Sequence, residues 1–177
     1  MSTRNSLNSQ WHNGGQCFNV KINIGSGHRN FDGFTSIDNN PRAMPDILHD
    51  ISVYPWPLAS DSVDHVVCAH LLEHVIEQGN VEQFMGFFEE LYRVCKNGAQ
   101  LEIVVPDARS DAAFSDPGHK SCWDKNIFTF CSKKSMESNI ARGTCMTDYE
   151  TNFDFDLTDL NVINQNIVCR MRCVKDE

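Results

Sequence analysis

The chain has 177 residues, of which 41% are hydrophobic, and a net charge of −9 at neutral pH. This length is enough for one domain with a sizeable core, and the hydrophobic content excludes a disordered chain. No apolar run is long enough to span a membrane. The negative charge argues against a nucleic-acid partner. More than half of the basic residues lie between positions 93 and 142, which is the expected place for any charged substrate; the alternative is an ordinary solvated surface.

The N-terminal segment and the cysteines indicate where the protein works. Residues 1–16 are polar and lack the apolar core of a signal peptide, which predicts a mobile tail in front of a single domain at 17–177, in a cytoplasmic protein. The eight cysteines are scattered, and several lie inside apolar runs. We therefore expect reduced thiols that pack as small hydrophobic residues.

A glycine turn between two extended runs is the first functional signal. Residues 20–24 alternate in the manner of a strand and end at Gly25-Ser26-Gly27, and a second run, 35–37, ends on Asp38. Glycine lets a ligand approach backbone N–H groups, and an acid at the end of the next strand can accept hydrogen bonds from a ribose diol. The pattern predicts a nucleoside cofactor lying across two parallel strand ends. The alternative is a hairpin bend with a surface aspartate.

The connection between these two runs is unusually short. Only seven residues, 28–34, separate the turn from the second run, whereas a parallel crossover normally needs roughly ten to twelve. We favour a compact crossover without a helix, because a hairpin would place Asp38 at the opposite end of the sheet from Gly25.

Further along, strands and helices alternate. A short extended run ends near Asp50, and the apolar run 63–69 is typical of a strand buried on both faces. A short helix is predicted at 71–78 and a strongly amphipathic helix at 81–95, ended by residues 96–98. Residues 101–105 form the next apolar strand. This order predicts an α/β fold with a mostly parallel sheet.

The C-terminal part is less regular. Residues 108–131 show no periodic pattern, and Ser132 can cap a helix that runs to about residue 141. Two final strands, 153–157 and 167–174, are predicted to pair antiparallel at the edge of the sheet.

Five blocks of the sequence, in this order, resemble one family: INIGSG, GFTSID, HDI, PWPLASDSVDHVVCAHLLEHV and ELYRVCKNGAQLEIVVPD. They are similar to small class I S-adenosylmethionine-dependent methyltransferases, and the resemblance extends over residues 22–119. The implied fold is a Rossmann-like sheet of seven strands, mostly parallel, with an antiparallel C-terminal strand. Because the usual N-terminal helices and the first crossover helix are missing, the substrate lid is expected to be minimal, or to be completed by a homodimer or a partner subunit.

The resemblance also implies a cofactor site at the ends of the first four strands. Its residues would be Gly25, Ser26, Gly27, Asp38, Asp50, Ile51, Ala69, His70 and Leu71. The glycine turn would pass beneath the methionine part, and Asp38 would hold the ribose hydroxyls. Asp50 and Ile51 would meet the adenine, and residues 69–71 would line the sulfonium end.

The implied reaction is methyl transfer from S-adenosylmethionine, which leaves S-adenosylhomocysteine, to a hydroxyl or amine of a small molecule or sugar. A scaffold protein that binds the cofactor without catalysis is the alternative. The cofactor activates the methyl group, so the protein needs a base only when the acceptor must lose a proton. His119 and His70 are the candidates. His119 is slightly favoured as the base, with His70 as a wall of the pocket.

Two other site types fit the sequence less well. His70 to His74 match the zinc-protease pattern H-x-x-E-H, but no downstream helix offers a third ligand, so we expect no metal. Glu73 and His74 are expected instead to make structural hydrogen bonds. A nicotinamide dehydrogenase would have a third glycine where Asn30 stands, and its acid would come about 20 residues after the turn, later than Asp38.

Overall fold

The computed structural model of the protein describes residues 19–144 and 147–175. The predicted tail, residues 1–16, lies outside the described residues. The seven strands are β1 (Lys21–Ile24), β2 (Thr35–Asp38), β3 (Ile47–Leu48), β4 (Val63–Ala69), β5 (Cys95–Pro106), β6 (Phe155–Ile163) and β7 (Asn166–Cys173). The α-helices are α1 (Leu72–Val75), α2 (Val81–Val94) and α3 (Lys133–Ala141), and short 3-10 helices occupy Pro41–Ala43, Asp111–Ala113 and Lys125–Cys131. None of the helices in these ranges is long and apolar enough to cross a membrane.

All seven strands form one sheet in the order β3-β2-β1-β4-β5-β7-β6. Strands β1 to β5 pair in parallel. Strand β7 runs antiparallel between β5 and β6. This is the Rossmann-like class I methyltransferase topology, with the antiparallel C-terminal strands that the sequence predicted.

The short crossover between β1 and β2 is confirmed as a non-helical connection, because the two strands are parallel and Ile24 pairs with Ile37. Inside the crossover, Asn23 donates from its side-chain amide to the carbonyl of Arg29 at 2.8 Å. The ring of Phe34 packs against His65 of β4 with 5.3 Å between centroids. These contacts let a seven-residue loop replace the usual helix.

The two faces of the sheet are different, which corrects the expectation that 63–69 is buried on both. On one face, fully buried residues from neighbouring strands form rows such as Ile24, Cys68, Ile103 and Cys169. On the other face, β4 presents His65 and Val67, which are only partly buried. Polar side chains of β5, β6 and β7 continue this second face as ion pairs: Arg170 with Glu102 and Asp159, and Arg172 with Asp156. The apolar run in β4 is therefore buried on one side only.

Helix α2 covers the apolar face. Its buried residues include Phe87, Phe88 and Leu91, and Phe88 contacts Phe155 of β6. Asn80 caps the helix by accepting a hydrogen bond from the Gln83 N–H at 3.1 Å. The predicted stop at residues 96–98 is wrong by a few residues: the helix ends at Val94, and β5 begins at once because Cys95 pairs with Val63.

The predicted C-terminal helix and the antiparallel strand pair are confirmed, and β6 is longer than predicted. Ser132 caps α3, as expected, by accepting from the Ser135 N–H at 3.2 Å. The stretch 108–131 is less irregular than predicted, since a seven-residue 3-10 helix, Lys125–Cys131, packs its Phe128 against Trp123. Among the described cysteines, all six are free thiols and five are buried, which agrees with the prediction of reduced residues.

Candidate functional site

The glycine turn after β1 uses its N–H groups within the protein. Gly25 and Gly27 have φ values of +65° and +51°, which favour glycine. The N–H groups of Gly25 and Ser26 both donate to the carbonyl of Ile37, at 2.9 and 3.3 Å. The N–H of Gly27 donates to Oδ2 of Asp38 at 2.7 Å. The turn is therefore bonded to β2, and a ligand would contact it mainly by packing.

Leu71 determines how much space lies above this turn. A Cβ atom on Gly25 would come within 2.7 Å of Leu71 Cδ1, so the leucine side chain lies directly on this glycine. A Cβ on Gly27 would have no heavy atom within 4 Å. The structure thus fills the space over Gly25 and leaves it open over Gly27.

Two carboxylates stand at the ends of the neighbouring strands. Oδ1 of Asp38 accepts the Asn40 N–H at 2.8 Å, and its Oδ2 accepts the Gly27 N–H. Each oxygen keeps a second lone pair for a hydroxyl donor, and the residue is partly exposed. Asp50 is exposed, and the Ser52 hydroxyl, followed by the Ser52 N–H, holds the pKa of Asp50 below its usual value. Both groups are placed to accept hydrogen bonds.

Ile51, which is predicted to lie beside the adenine, packs into the core directly after the exposed Asp50. It is only 4% exposed and belongs to the core, and its carbonyl accepts the indole N–H of Trp56 at 2.9 Å. Its side chain therefore anchors the loop after β3 in the hydrophobic core.

The end of β4 brings Ala69 and His70 to the same edge of the sheet. His70 donates its backbone N–H to Val104 at 2.8 Å and has a φ of +57°, an uncommon conformation for a residue with a side chain. Such backbone strain is concentrated at functional sites. The imidazole is 39% exposed.

Next to His70 lies a buried acid that the sequence pattern had placed in a structural role. Oε1 of Glu73 is 3.3 Å from Nδ1 of His70, and the Glu73 side chain is 1% exposed. Within the described part of the chain, neither oxygen of this carboxylate accepts a hydrogen bond. The expected structural hydrogen bonds of Glu73 are therefore absent from the described residues.

Two further histidines surround the same carboxylate. Nδ1 of His74 lies 3.2 Å from the carbonyl of Gly118, and Nδ1 of His119 lies 2.9 Å from the carbonyl of Ala113. A carbonyl only accepts, so both Nδ1 atoms carry hydrogen and both Nε2 atoms of the neutral rings keep a lone pair. The centroids of the His74 and His119 rings are 4.8 Å apart. We call His70, Glu73, His74 and His119 the histidine cluster.

The predicted residues thus gather at one edge of the sheet, with the exception of the Ile51 side chain. The residues after β1 to β4 fit the adenosine part of a nucleoside cofactor: two carboxylates accept, and an open space lies over Gly27. Sequence reasoning missed the buried Glu73 between histidines. The H-x-x-E-H spacing was the sequence signal for this group of residues. The third histidine beside Glu73, His119, lies 45 positions after His74 in a loop without a regular pattern.

An apolar pocket of about 150 Å³ lies between the start of α2 and the segment after β5, and the predicted cofactor residues are not part of its lining. Its aromatic wall includes Phe84, Trp123, Phe130 and Tyr149. Backbone hydrogen bonds link the wall of this pocket to the histidine cluster. The N–H groups of Lys120 and of Ser121, which lines the pocket, donate to the carbonyl of Glu73. It is large enough for a small aromatic or aliphatic group.

Comparisons with known proteins agree with this geometry. Residues 35–103 match the family model described as a methyltransferase domain. No curated protein matches the sequence. A S-adenosylmethionine-dependent methyltransferase from Archaeoglobus fulgidus is similar in structure at 14% identity, with 87% of this chain and 86% of that chain covered and a TM-score of 0.59.

Two more solved structures share the fold. A S-adenosylmethionine-dependent methyltransferase from Methanosarcina mazei is 14% identical, with 91% of this chain and 95% of that chain covered and a TM-score of 0.59. A complex of the Trm112 methyltransferase activator with a methyltransferase from Haloferax volcanii matches at 12% identity, with coverage of 89% and 83% and a TM-score of 0.56.

Proposed function

We propose that this chain is a class I S-adenosylmethionine-dependent methyltransferase that transfers the methyl group to a hydroxyl or amine of a small molecule. The proposal is supported by the methyltransferase domain model that matches residues 35–103 and by the fold shared with solved methyltransferases. When bound, the cofactor supplies a carbon activated by a positive sulfur. The protein must align the acceptor with that carbon, exclude water and, for a hydroxyl, remove a proton.

His70 is our choice for the residue that removes the proton. The single observation that carries the proposal is its position: it follows β4 directly at the predicted sulfonium end, is partly exposed, and has the Glu73 carboxylate 3.3 Å from Nδ1. A carboxylate at Nδ1 orients an imidazole and stabilises its charged form, which leaves Nε2 to accept a proton. His119 has no such partner at Nδ1, because the Ala113 carbonyl occupies that position.

The acceptor is proposed to be small and partly apolar. The aromatic pocket between α2 and the segment after β5 has a volume of about 150 Å³, which suits one ring or a short chain. A sugar would instead need polar groups along its length. The pocket therefore favours the small-molecule side of the two acceptor classes predicted from the sequence.

A partner subunit is a further part of the proposal. In the Haloferax structure a methyltransferase is in complex with an activator protein. Among residues 19–144 and 147–175, one face of the sheet carries ion pairs of β5, β6 and β7, and the helical segments that directly follow β4 and β5 are short. A homodimer or an activator-like partner would cover such a site. Light scattering of the purified chain, with and without cofactor, distinguishes a dimer from a monomer.

The second candidate is a scaffold that binds the cofactor without transferring the methyl group. It is favoured by Leu71, which lies on Gly25, and by the turn N–H groups, which are already bonded to Ile37. Both features reduce the contacts that are available to the methionine part.

One pair of measurements separates the two candidates. Isothermal titration with S-adenosylmethionine and S-adenosylhomocysteine tests binding, and transfer of a tritiated methyl group to a panel of small phenols, alcohols and amines tests catalysis. Binding together with transfer supports the enzyme. Binding of both compounds without transfer to any acceptor supports the scaffold, and failure to bind either compound contradicts both.

A further inference from the structure

We propose that Glu73, His74 and His119 form a binding site for a divalent transition-metal ion of the zinc class. Each of the three residues offers a ligand atom, and these atoms all lie within 4.8 Å of one another. Ligands around a tetrahedral zinc ion are closer than this, so small side-chain rotations would complete the site. Nitrogen and carboxylate ligands together select zinc and its neighbours over magnesium and calcium.

The hydrogen bonds of the two histidines support this assignment. A histidine that binds a metal almost always donates its other ring N–H to a carboxylate, a backbone carbonyl or water, which fixes the tautomer. Both His74 and His119 show this arrangement, through the Gly118 and Ala113 carbonyls at 3.2 and 2.9 Å. Two carbonyls of the same segment after β5 thus hold the two imidazoles through Nδ1 and leave Nε2 of each ring for a ligand.

The buried carboxylate is the independent observation. Glu73 is 1% exposed, and no donor in the described segments satisfies either of its oxygens. A buried carboxylate that accepts no hydrogen bond is strongly disfavoured, unless a cation or several donors compensate its charge. Nδ1 of His70 lies 3.3 Å from Oε1, too poorly placed to donate a hydrogen bond, and a metal ion would supply the missing charge directly.

The ligand set differs from the one that the H-x-x-E-H pattern describes. That pattern uses two histidines one helical turn apart, but α1 begins only at Leu72, and His70 stands before it with a φ of +57°. Here the segment after β5 supplies the ligand His119, whereas the pattern would use a residue of a downstream helix. Three protein ligands leave a fourth position for water, and His74 and His119 are both partly exposed on that side.

In the part of the chain that the structure describes, no cysteine belongs to this group of ligand atoms. The thiols of the chain nevertheless make a spectroscopic control necessary.

The experiment is a metal titration of the whole chain, freed of metal with a chelator. Isothermal titration with zinc chloride is expected to give one site, and cobalt(II) is expected to give visible ligand-field bands without the strong near-ultraviolet band of thiolate ligands. His74→Gln and His119→Gln should each weaken zinc binding at least about tenfold. The matched control is His28→Gln, since His28 is an exposed histidine outside the cluster.

Circular dichroism and the melting temperature of each metal-free variant show that it is folded before it is titrated. The proposal is overturned if zinc does not bind to the folded wild-type chain, if both cluster variants bind it as well as His28→Gln does, or if cobalt shows thiolate ligation only. The titration uses neither cofactor nor acceptor, so its failure leaves methyl transfer untouched, and failure of methyl transfer leaves the metal site untouched.

Discussion

Two acids at the same edge of the sheet, Asp38 and Glu73, have opposite surroundings. Asp38 is partly exposed, and each of its oxygens already accepts a backbone N–H. Glu73 is buried, and its oxygens accept no hydrogen bond from the described residues. A carboxylate oriented by N–H donors is ready to accept two more hydrogen bonds, as a ribose diol requires. A carboxylate without donors requires a cation or a protonated imidazole.

The comparison divides the site into two ends with different chemistry. The end built by β1, β2 and β3 offers carboxylate oxygens with free lone pairs, which suits neutral hydrogen-bond donors, while the histidine cluster is suited to protons and positive charge. Methyl transfer to a hydroxyl needs both, because a cofactor must be held while a proton leaves the acceptor. The predictions below test each end separately.

The largest effect is expected at the cluster. His70→Gln should lower the turnover number about 10²–10⁴-fold, because the acceptor proton loses its base, while cofactor affinity changes little. Single-turnover methyl transfer and isothermal titration measure the two quantities. His119→Gln is the matched control and should retain more activity than His70→Gln. If His119→Gln is the more damaging variant, the order of the two predicted bases is reversed, and if both retain full turnover the reaction needs no histidine base.

The same substitution, glycine to valine, is expected to reduce stability by different amounts at Gly25 and at Gly27. Gly25→Val should lower the free energy of unfolding by about 3 kcal/mol, because the new side chain overlaps Leu71 and the φ of +65° is strained. Gly27→Val meets open space, so it should cost about 1–2 kcal/mol from backbone strain alone.

Denaturant unfolding measures this difference, and titration of the folded Gly27→Val protein measures cofactor binding. We expect that binding to be abolished, since the branched side chain would fill the open space above the turn. Normal binding by Gly27→Val would show that the turn is only structural.

Asp38→Ala tests the end of the site that recognises donors. The loss of an acceptor for two hydroxyls should weaken S-adenosylmethionine binding at least tenfold, equivalent to about 1.5–3 kcal/mol. Because Asp38 also accepts the Gly27 and Asn40 N–H groups, the variant should unfold more easily as well. Titration well below the melting temperature separates the two effects. Unchanged affinity in the folded variant would remove Asp38 from the site.

The smallest expected effect is a change in the free energy of unfolding, and its sign is the informative result. In the presence of a chelator, Glu73→Leu should raise the free energy of unfolding by about 1 kcal/mol, because it removes a buried carboxylate whose oxygens accept no hydrogen bond from the described residues. Asp38→Leu should lower it by about 1–3 kcal/mol, because two backbone N–H groups lose their acceptor. Denaturant unfolding of both variants measures the contrast. A loss of stability in Glu73→Leu would indicate that protonated histidines already compensate the carboxylate.

The sequence predicted most elements because their signals are local. The glycine turn, the capping Ser132 and the period of α2 depend on neighbours within a few positions, and each is found where it was expected. The end of α2 was placed late because Gly98, with a φ of +82°, resembles a helix terminator. Pairing of Cys95 with Val63 in the sheet overrode that local signal.

What the sequence alone determined is the class of fold and the order of the strand ends at which a cofactor site is predicted, since both follow from periodicity, glycine and a few acids in order. Only the tertiary structure decided which face of β4 is buried, where Leu71 lies, and how Glu73 is surrounded. Those features depend on contacts between segments far apart in the chain, such as His119 with His74. No local pattern encodes the burial of a single carboxylate, because burial is the result of packing by the whole chain.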